Sequence, residues 1–220
     1  MGKEFEFKII EPNIELFKQL LKKNNGVMVH PKHKMYRHVF DHPDPSVDGF
    51  IRLRKEGDNK VTLTCKIFNK SKYPLEYELS LNESYEKGLE FLQKSGLNLK
   101  SYQETAREKW KHPLAKEIVF DDWPGIPEFI EVDCESEDNL KEMKKILDVN
   151  NRNIMYDGVD TLYNELYNIP KKKFNRVPSL TFKNFKSELM RGGGKRTRKR
   201  NNSKKNSNKN KKCKKTRKNK

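Results

Sequence analysis

The stretch Glu4-Phe-Glu-Phe-Lys-Ile9 alternates charged and apolar side chains at every step. Period two marks a strand whose faces meet different surroundings. Phe5, Phe7 and Ile9 share one face, and Glu4, Glu6 and Lys8 share the other. Seven further segments repeat the pattern: Tyr36 to Phe40, Phe50 to Arg54, Val61 to Ile67, Glu76 to Leu81, Thr105 to Trp110, Lys116 to Asp121 and Glu128 to Asp133. Helical spacing separates them. Pro12 suits the first turn of a helix carrying Ile14, Phe17, Leu20 and Leu21. Asn82 is placed to cap a second, with Tyr85, Leu89 and Leu92, ending before Gly96. Ser136 opens a third, with Leu140, Met143 and Leu147, and Leu162 to Tyr167 forms a short fourth. The expectation is a mainly β, α+β domain: an eight-stranded antiparallel barrel with helices packed outside.

Sorting each strand by face sharpens this. One face presents Phe5, Phe7, Ile9, Ile51, Leu53, Leu63, Cys65, Tyr77, Leu79, Ile130 and Val132, suited to packing under helices. The other presents seven carboxylates, Glu4, Glu6, Glu76, Glu78, Asp121, Glu131 and Asp133, and six cations, Lys8, Arg52, Arg54, Lys66, Arg107 and Lys109. A solvated sheet face mixes Thr, Ser and Lys; here the strand centres are almost wholly charged. Inside a barrel such charges persist only when paired, because desolvation costs several kcal/mol per ion. A near-balanced lining meets that demand. It also offers carboxylates for a hard cation and a basic wall for phosphate oxygens.

With those residues in place, the chain resembles the CYTH proteins, the triphosphate tunnel superfamily of class IV adenylate cyclases, thiamine triphosphatases, inorganic triphosphatases and fungal-type RNA triphosphatases. Glu4-Phe-Glu-Phe-Lys8 is similar to the opening E-x-E-x-K signature. Arg52 and Arg54, Lys66, Glu76 and Glu78, and Arg107 and Lys109 follow in the family's order. Asp121-Asp-Trp-Pro-Gly-Ile-Pro-Glu-Phe-Ile-Glu-Val-Asp133 is similar to its D-x-W-P…F-x-E-I-E segment. Two departures stand out. Asp133 replaces a Glu, and of the adjacent Asp121 and Asp122 parity favours Asp121. The resemblance implies that Glu4, Glu6, Glu131 and Asp133 bind Mg²⁺ or Mn²⁺. It implies that Lys8, Arg52, Arg54, Lys66, Arg107 and Lys109 hold a triphosphate, on a small molecule or an RNA 5′ end. Glu76, Glu78 and Asp121 are then left to orient those cations, bind a second metal or activate water. Hydrolysis is the leading expectation. The alternatives are cyclisation of ATP to cyclic AMP, or a non-catalytic polyphosphate- or RNA-binding role.

Composition sets the boundaries. Hydrophobic residues make up 33% and charged residues 36% of 220, which suits one domain with an appendage. The net charge of +17 belongs almost entirely to residues 191–220, which hold 16 Lys and Arg and no acid; residues 1–190 carry 32 bases and 31 acids. The expected organisation is a tunnel domain over 1–170, a linker over 171–190 and a disordered basic tail over 191–220. The run from Arg191 to Lys199 resembles tails of large DNA virus proteins. Cys65, Cys134 and Cys213 form no C-x-x-C, which reads as a reduced intracellular protein. Neither a signal peptide nor a membrane span is expected. Glu6 stands where a myristoylation signal needs Ser or Thr. His30, His33, His38 and His42 match no zinc spacing, while Trp110, Trp123 and Cys65 read as packing residues.

The tail generates a first prediction. Residues 191–220 should bind single-stranded nucleic acid without sequence preference, with a log–log salt slope of roughly −0.7 per phosphate contact. Filter binding of the whole chain and of a chain lacking the tail, across a salt series, measures this. Equal affinity of the two would leave the tail without that role.

Overall fold

The computed structural model describes residues 2–3, 5–58, 60–69, 73–149 and 153–192. All eight expected strands form. The N-terminal stretch supplies β1 (Gly2–Lys3) and β2 (Phe5–Ile9). Then come β3 (Val27–Asp41), β4 (Gly49–Glu56), β5 (Lys60–Ile67), β6 (Leu75–Leu81), β7 (Leu99–His112), β8 (Ala115–Asp122) and β9 (Phe129–Cys134). Two short additions are β10 (Ile154–Met155) and β11 (Ser179–Leu180). The strand order is β1-β6-β5-β4-β3-β7-β8-β9-β2-β10, and β11 pairs parallel to β7. The remaining pairs are antiparallel. The N-terminal segment thus stands at one end of the order as β1 and next to the other end as β2. Gly2 and Lys3 pair with Glu76 and Leu75, while Phe5 to Ile9 pair with Cys134 to Ile130. The sheet curls until its ends meet at the N-terminal stretch, with a two-residue seam on the β6 side.

Helices cover the outside. α1 (Ile14–Lys23) starts from Asn13, whose side chain accepts the Leu16 amide, so Pro12 precedes the helix instead of sitting in its first turn. α2 (Tyr85–Lys94) is capped by Ser84, not Asn82; the cap side chain must stand directly before the open amides of the first turn. α3 (Glu137–Ile146) is capped by Ser136, as its sequence suggests. Phe17, Leu21, Leu140 and Met143 of α1 and α3 bury Phe7, Ile9, Ile130 and Val132. Tyr85 and Leu92 of α2 bury Leu53 and Val61. The apolar face is not covered throughout: Leu79 stays 64% exposed, contrary to its expected place under a helix.

A third cluster corrects the expected boundaries. α4 (Val159–Tyr167), α5 (Lys171–Phe174), β11 and α6 (Phe185–Gly192) gather Leu162, Tyr163, Phe174, Leu180 and Leu189 over Trp123, Ile126 and Phe129. Residues 171–190, expected as a linker, are part of the fold. The apolar pattern there is sparse, but Phe174, Val177, Leu180 and Leu189 are buried in one cluster with Trp123 and Ile126 of the β8–β9 turn. Gly125 of that turn has φ +85°, and a Cβ there would stand 2.5 Å from the Phe185 ring. The Tyr163 hydroxyl donates to the Pro124 carbonyl at 2.7 Å, and that of Tyr167 donates to the Gly125 carbonyl. Residues 193–220, the expected disordered tail, lie outside the described residues. No helix among the described residues is long and apolar enough to cross a membrane.

Cutting the chain after Pro170 removes Phe174, Val177, Leu180 and Leu189 from this cluster. At about 1.5–3 kcal/mol per buried side chain, the loss is about 6–12 kcal/mol, or at least roughly 12 °C in Tm. A cut after Gly192 should leave Tm unchanged. Thermal unfolding of the two truncations checks this, and equal Tm values would return residues 171–190 to a linker.

Candidate functional site

Strand register gathers the charged face. Glu6 stands opposite Asp133, and Lys8 opposite Glu131. Arg107 faces Asp121, and Glu117 faces Asp133. On the other wall Arg37 pairs with Arg54, Arg52 with Thr64, Thr64 with Glu78, and Lys66 with Glu76. The side chains of these rows enclose a cavity of about 790 Å³. Eleven of the thirteen expected site residues line it: Glu6, Lys8, Arg52, Arg54, Lys66, Glu76, Glu78, Arg107, Asp121, Glu131 and Asp133. Lys109 is set back from the cavity, bridging Glu56 at 3.0 Å and Glu117 at 2.5 Å. Glu4 lies outside the described residues.

Pairing is dense. Lys8 Nζ reaches Glu6 at 2.8 Å and Glu131 at 3.1 Å. Arg107 donates two parallel bonds to Asp121, at 2.6 and 2.7 Å, and a third to Glu117 at 3.1 Å. Arg52 Nη2 lies 3.4 Å from Glu76 and 3.5 Å from Glu78, and Arg54 Nη2 lies 3.3 Å from Glu78. Lys66 lies 3.4 Å from Glu76. Burial opposes charge on Lys8 and Arg107, yet their carboxylate partners outweigh it and hold both pKa values above the ordinary range. Burial likewise opposes the Glu131 anion, but Lys8, Arg107 and Lys66 hold its carboxyl down at about 2.

One carboxylate lacks such support. Burial, together with Glu6, Glu131 and Glu117, outweighs Lys116 and pushes Asp133 up to about 7. Its Oδ1 is buried without a hydrogen-bond partner, with Lys116 Nζ at 4.0 Å. Among the described residues no three His, Cys, Asp or Glu side chains are yet gathered as a metal cluster. Glu6 and Glu131 are instead turned to Lys8.

Several site residues do not stand out in the family pattern. Glu117 shares the parity of Asp121, and Glu56 that of Arg52 and Arg54, so period two alone suffices to find them. Arg37 has no such signal. It lies in a strand whose polar and apolar residues alternate weakly, Tyr36-Arg-His-Val-Phe40, which names no inner face. Of the histidines, His38 Nδ1 lies 2.6 Å from the Tyr85 hydroxyl, and the His30 and His33 rings stand 3.9 Å apart.

A family model for the CYTH domain matches residues 2–161. No curated protein matches the sequence. Among solved structures, a protein of Pyrococcus horikoshii is 24% identical, with TM-score 0.55, over 74% of this chain and 98% of its own. A candidate adenylate cyclase from Vibrio parahaemolyticus is 11% identical, with TM-score 0.59, over 73% and 97%. A candidate adenylyl cyclase from Hippeastrum, with a dominant triphosphatase activity, is 17% identical, with TM-score 0.50, over 72% and 91%. These likenesses establish the same curled-sheet fold.

Asp133 yields a pH prediction. Its folded pKa, about 7, exceeds the ordinary value of 3.8, so the folded state binds the extra proton. This contribution to stability is complete below the lower value and lost as pH rises through about 7. In chelator, Tm should fall between pH 5 and pH 8, and Asp133→Asn should flatten the fall. An unchanged slope in the variant would remove Asp133 as its source.

Proposed function

The chain belongs to the CYTH domain family, and we propose that it is a metal-dependent triphosphatase acting within the barrel. The carrying observation is the paired lining: nearly every cation facing the cavity is already oriented by a carboxylate, around a space of about 790 Å³. Such a site stabilises developing phosphoryl charge with groups that need little rearrangement.

Glu6, Glu131 and Asp133, with Glu4 from the sequence motif, would hold the divalent ion. The donors fit one: all are carboxylate oxygens, suited to Mg²⁺ or Mn²⁺, and the buried Asp133 Oδ1 has no hydrogen-bond partner. When bound, that ion neutralises phosphate charge and polarises the terminal phosphorus. Glu6 and Glu131 would exchange part of their hold on Lys8 for it, freeing the ammonium for a phosphate oxygen. Arg52, Arg54, Lys66 and Arg107 bind the remaining phosphate oxygens. Asp121, with both oxygens engaged by Arg107 and its side chain buried, positions that guanidinium. Glu76 orients Arg52 and Lys66. Glu78 takes the Thr64 hydroxyl and Arg54 on Oε2, leaving Oε1 to orient the attacking water. The substrate reading extends from inorganic triphosphate to nucleotides, thiamine triphosphate and RNA 5′ ends, with residues 191–220 as the arm that holds long polyanions. The same lining would serve a cyclase, which an assay of both products distinguishes.

With Mg²⁺ or Mn²⁺, the purified chain should release phosphate from a triphosphate panel and form no cyclic AMP from ATP. Glu6→Ala and Glu131→Ala should lower turnover by more than the roughly 10–100-fold that losing an outer-sphere partner costs. Arg54→Ala should chiefly raise KM. Phosphate release that survives chelation would falsify the metal mechanism, and cyclic AMP as the main product would make the chain a cyclase.

A further inference from the structure

Four cations lining the cavity are buried to 7% exposure or less: Lys8, Arg37, Arg54 and Arg107. Three of them have carboxylate partners within 4 Å. Arg37 has none among the described residues. Its guanidinium lies over the Trp123 ring, 4.2 Å from the centroid, and Nη2 donates to Thr105 Oγ1 at 3.1 Å. Nε is buried without a partner. Both contacts hold the group in place, but neither neutralises it. Burial, then Arg52, Arg54 and Arg107, disfavour its charge, and the more distant Asp121 offsets only part of this. Guanidinium groups keep their proton in proteins, so the imbalance persists as electrostatic strain.

The strand order says where this charge stands. From β2, which carries Glu6, four steps in either direction around the ring reach β3, which carries Arg37: through β9, β8 and β7, or through the N-terminal seam, β6, β5 and β4. The unneutralised cation therefore stands across the barrel from the acidic cluster of Glu6, Glu131 and Asp133.

We propose that Arg37 is an anchor for a ligand oxyanion, receiving a phosphate group on the wall opposite the acidic cluster. The inference rests on the triphosphate reading above and adds polarity to it. A ligand satisfying both walls needs several phosphates in a row, one beside the carboxylate-bound cation and another against Arg37. A planar guanidinium braced on an indole presents its remaining edge to a tetrahedral oxyanion in fixed orientation, which an ammonium cannot reproduce.

A buried charge awaiting its partner weakens the empty protein and strengthens the complex, so stability and affinity should move in opposite directions. The test compares whole-chain wild type with Arg37→Met and Arg37→Lys, with Mg²⁺ present, using Tm without ligand and calorimetric titration with tripolyphosphate and orthophosphate. Arg37→Met should raise the ligand-free Tm by roughly 2–4 °C. It should weaken tripolyphosphate binding at least ~10-fold, the scale of one lost charge-assisted hydrogen bond, and weaken orthophosphate binding less. Arg37→Lys should recover only part of the affinity. Unchanged tripolyphosphate affinity in Arg37→Met overturns the anchor while leaving the triphosphatase reading intact. A lower Tm accompanying lost affinity overturns it in favour of a structural role. Wild type that fails to bind tripolyphosphate overturns the triphosphatase reading and the anchor with it.

Discussion

Ionised groups cannot be taken out of water singly, and the whole interior is governed by that constraint. Eleven charges on one face of a sheet would be unremarkable in solvent. Curled inward, they need partners, and the pairing sets which strands stand beside one another in register. Arg107 opposite Asp121, Lys8 opposite Glu131 and Lys66 opposite Glu76 are register pairs as much as ion pairs. A one-residue slip would turn Arg107 to the outside and put Ala106 or Glu108 opposite Asp121, leaving it without its cation. The lining thus specifies alignment as well as chemistry, which is one reason a site this polar is compatible with a single fold. Buried pairs of this kind contribute less net stability than their number suggests. The apolar face under α1, α2 and α3 supplies most of the stabilisation.

The balance has two flaws, of opposite sign, on opposite walls. Asp133 is a carboxylate short of cations, and Arg37 is a cation without a carboxylate partner among the described residues. In a purely structural barrel both would be candidates for replacement by neutral residues. In a barrel that takes a cation and a polyanion together, they are the positions where the ligand completes the pairing. The interior is then least satisfied when empty, the arrangement expected where binding energy is directed at a bound state and away from the resting one.

Period two makes the strands and the inner face legible, because a strand between an apolar exterior and a charged interior must alternate. The same rule reaches Glu117 and Glu56, which the family motif does not mark. Arg37 is not legible. Along Tyr36-Arg-His-Val-Phe40 both faces carry polar and apolar groups, so the inner side is fixed by its neighbours β4 and β7. The cap of α2 depends on which of two nearby polar residues, Asn82 or Ser84, stands directly before the open amides. Leu79 cannot be read either, since a strand's apolar face is covered only where a helix happens to lie. The boundary expected at Pro170 fails for a different reason. The buried residues beyond it, Phe174, Val177, Leu180 and Leu189, are few and spread over a short helix, a loop, a two-residue strand and another helix, so no amphipathic run announces them.

The β8–β9 turn connects the least legible segment to the site. Trp123 has its indole against the Arg37 guanidinium and belongs to the cluster of Leu162, Tyr163, Phe174 and Leu189. Tyr163 and Tyr167 fix the next two residues, Pro124 and Gly125, by their carbonyls. The family match ends at residue 161, just inside α4. The segment from Leu162 to Gly192 is therefore more than packing appended to a finished barrel, because it immobilises the ring on which the unpaired cation rests. An indole free to rock would no longer fix Arg37 relative to Asp121, the carboxylate that partly offsets its burial. Held from behind by this cluster, the indole keeps the guanidinium in one place on the cavity wall, as the proposed anion anchor requires.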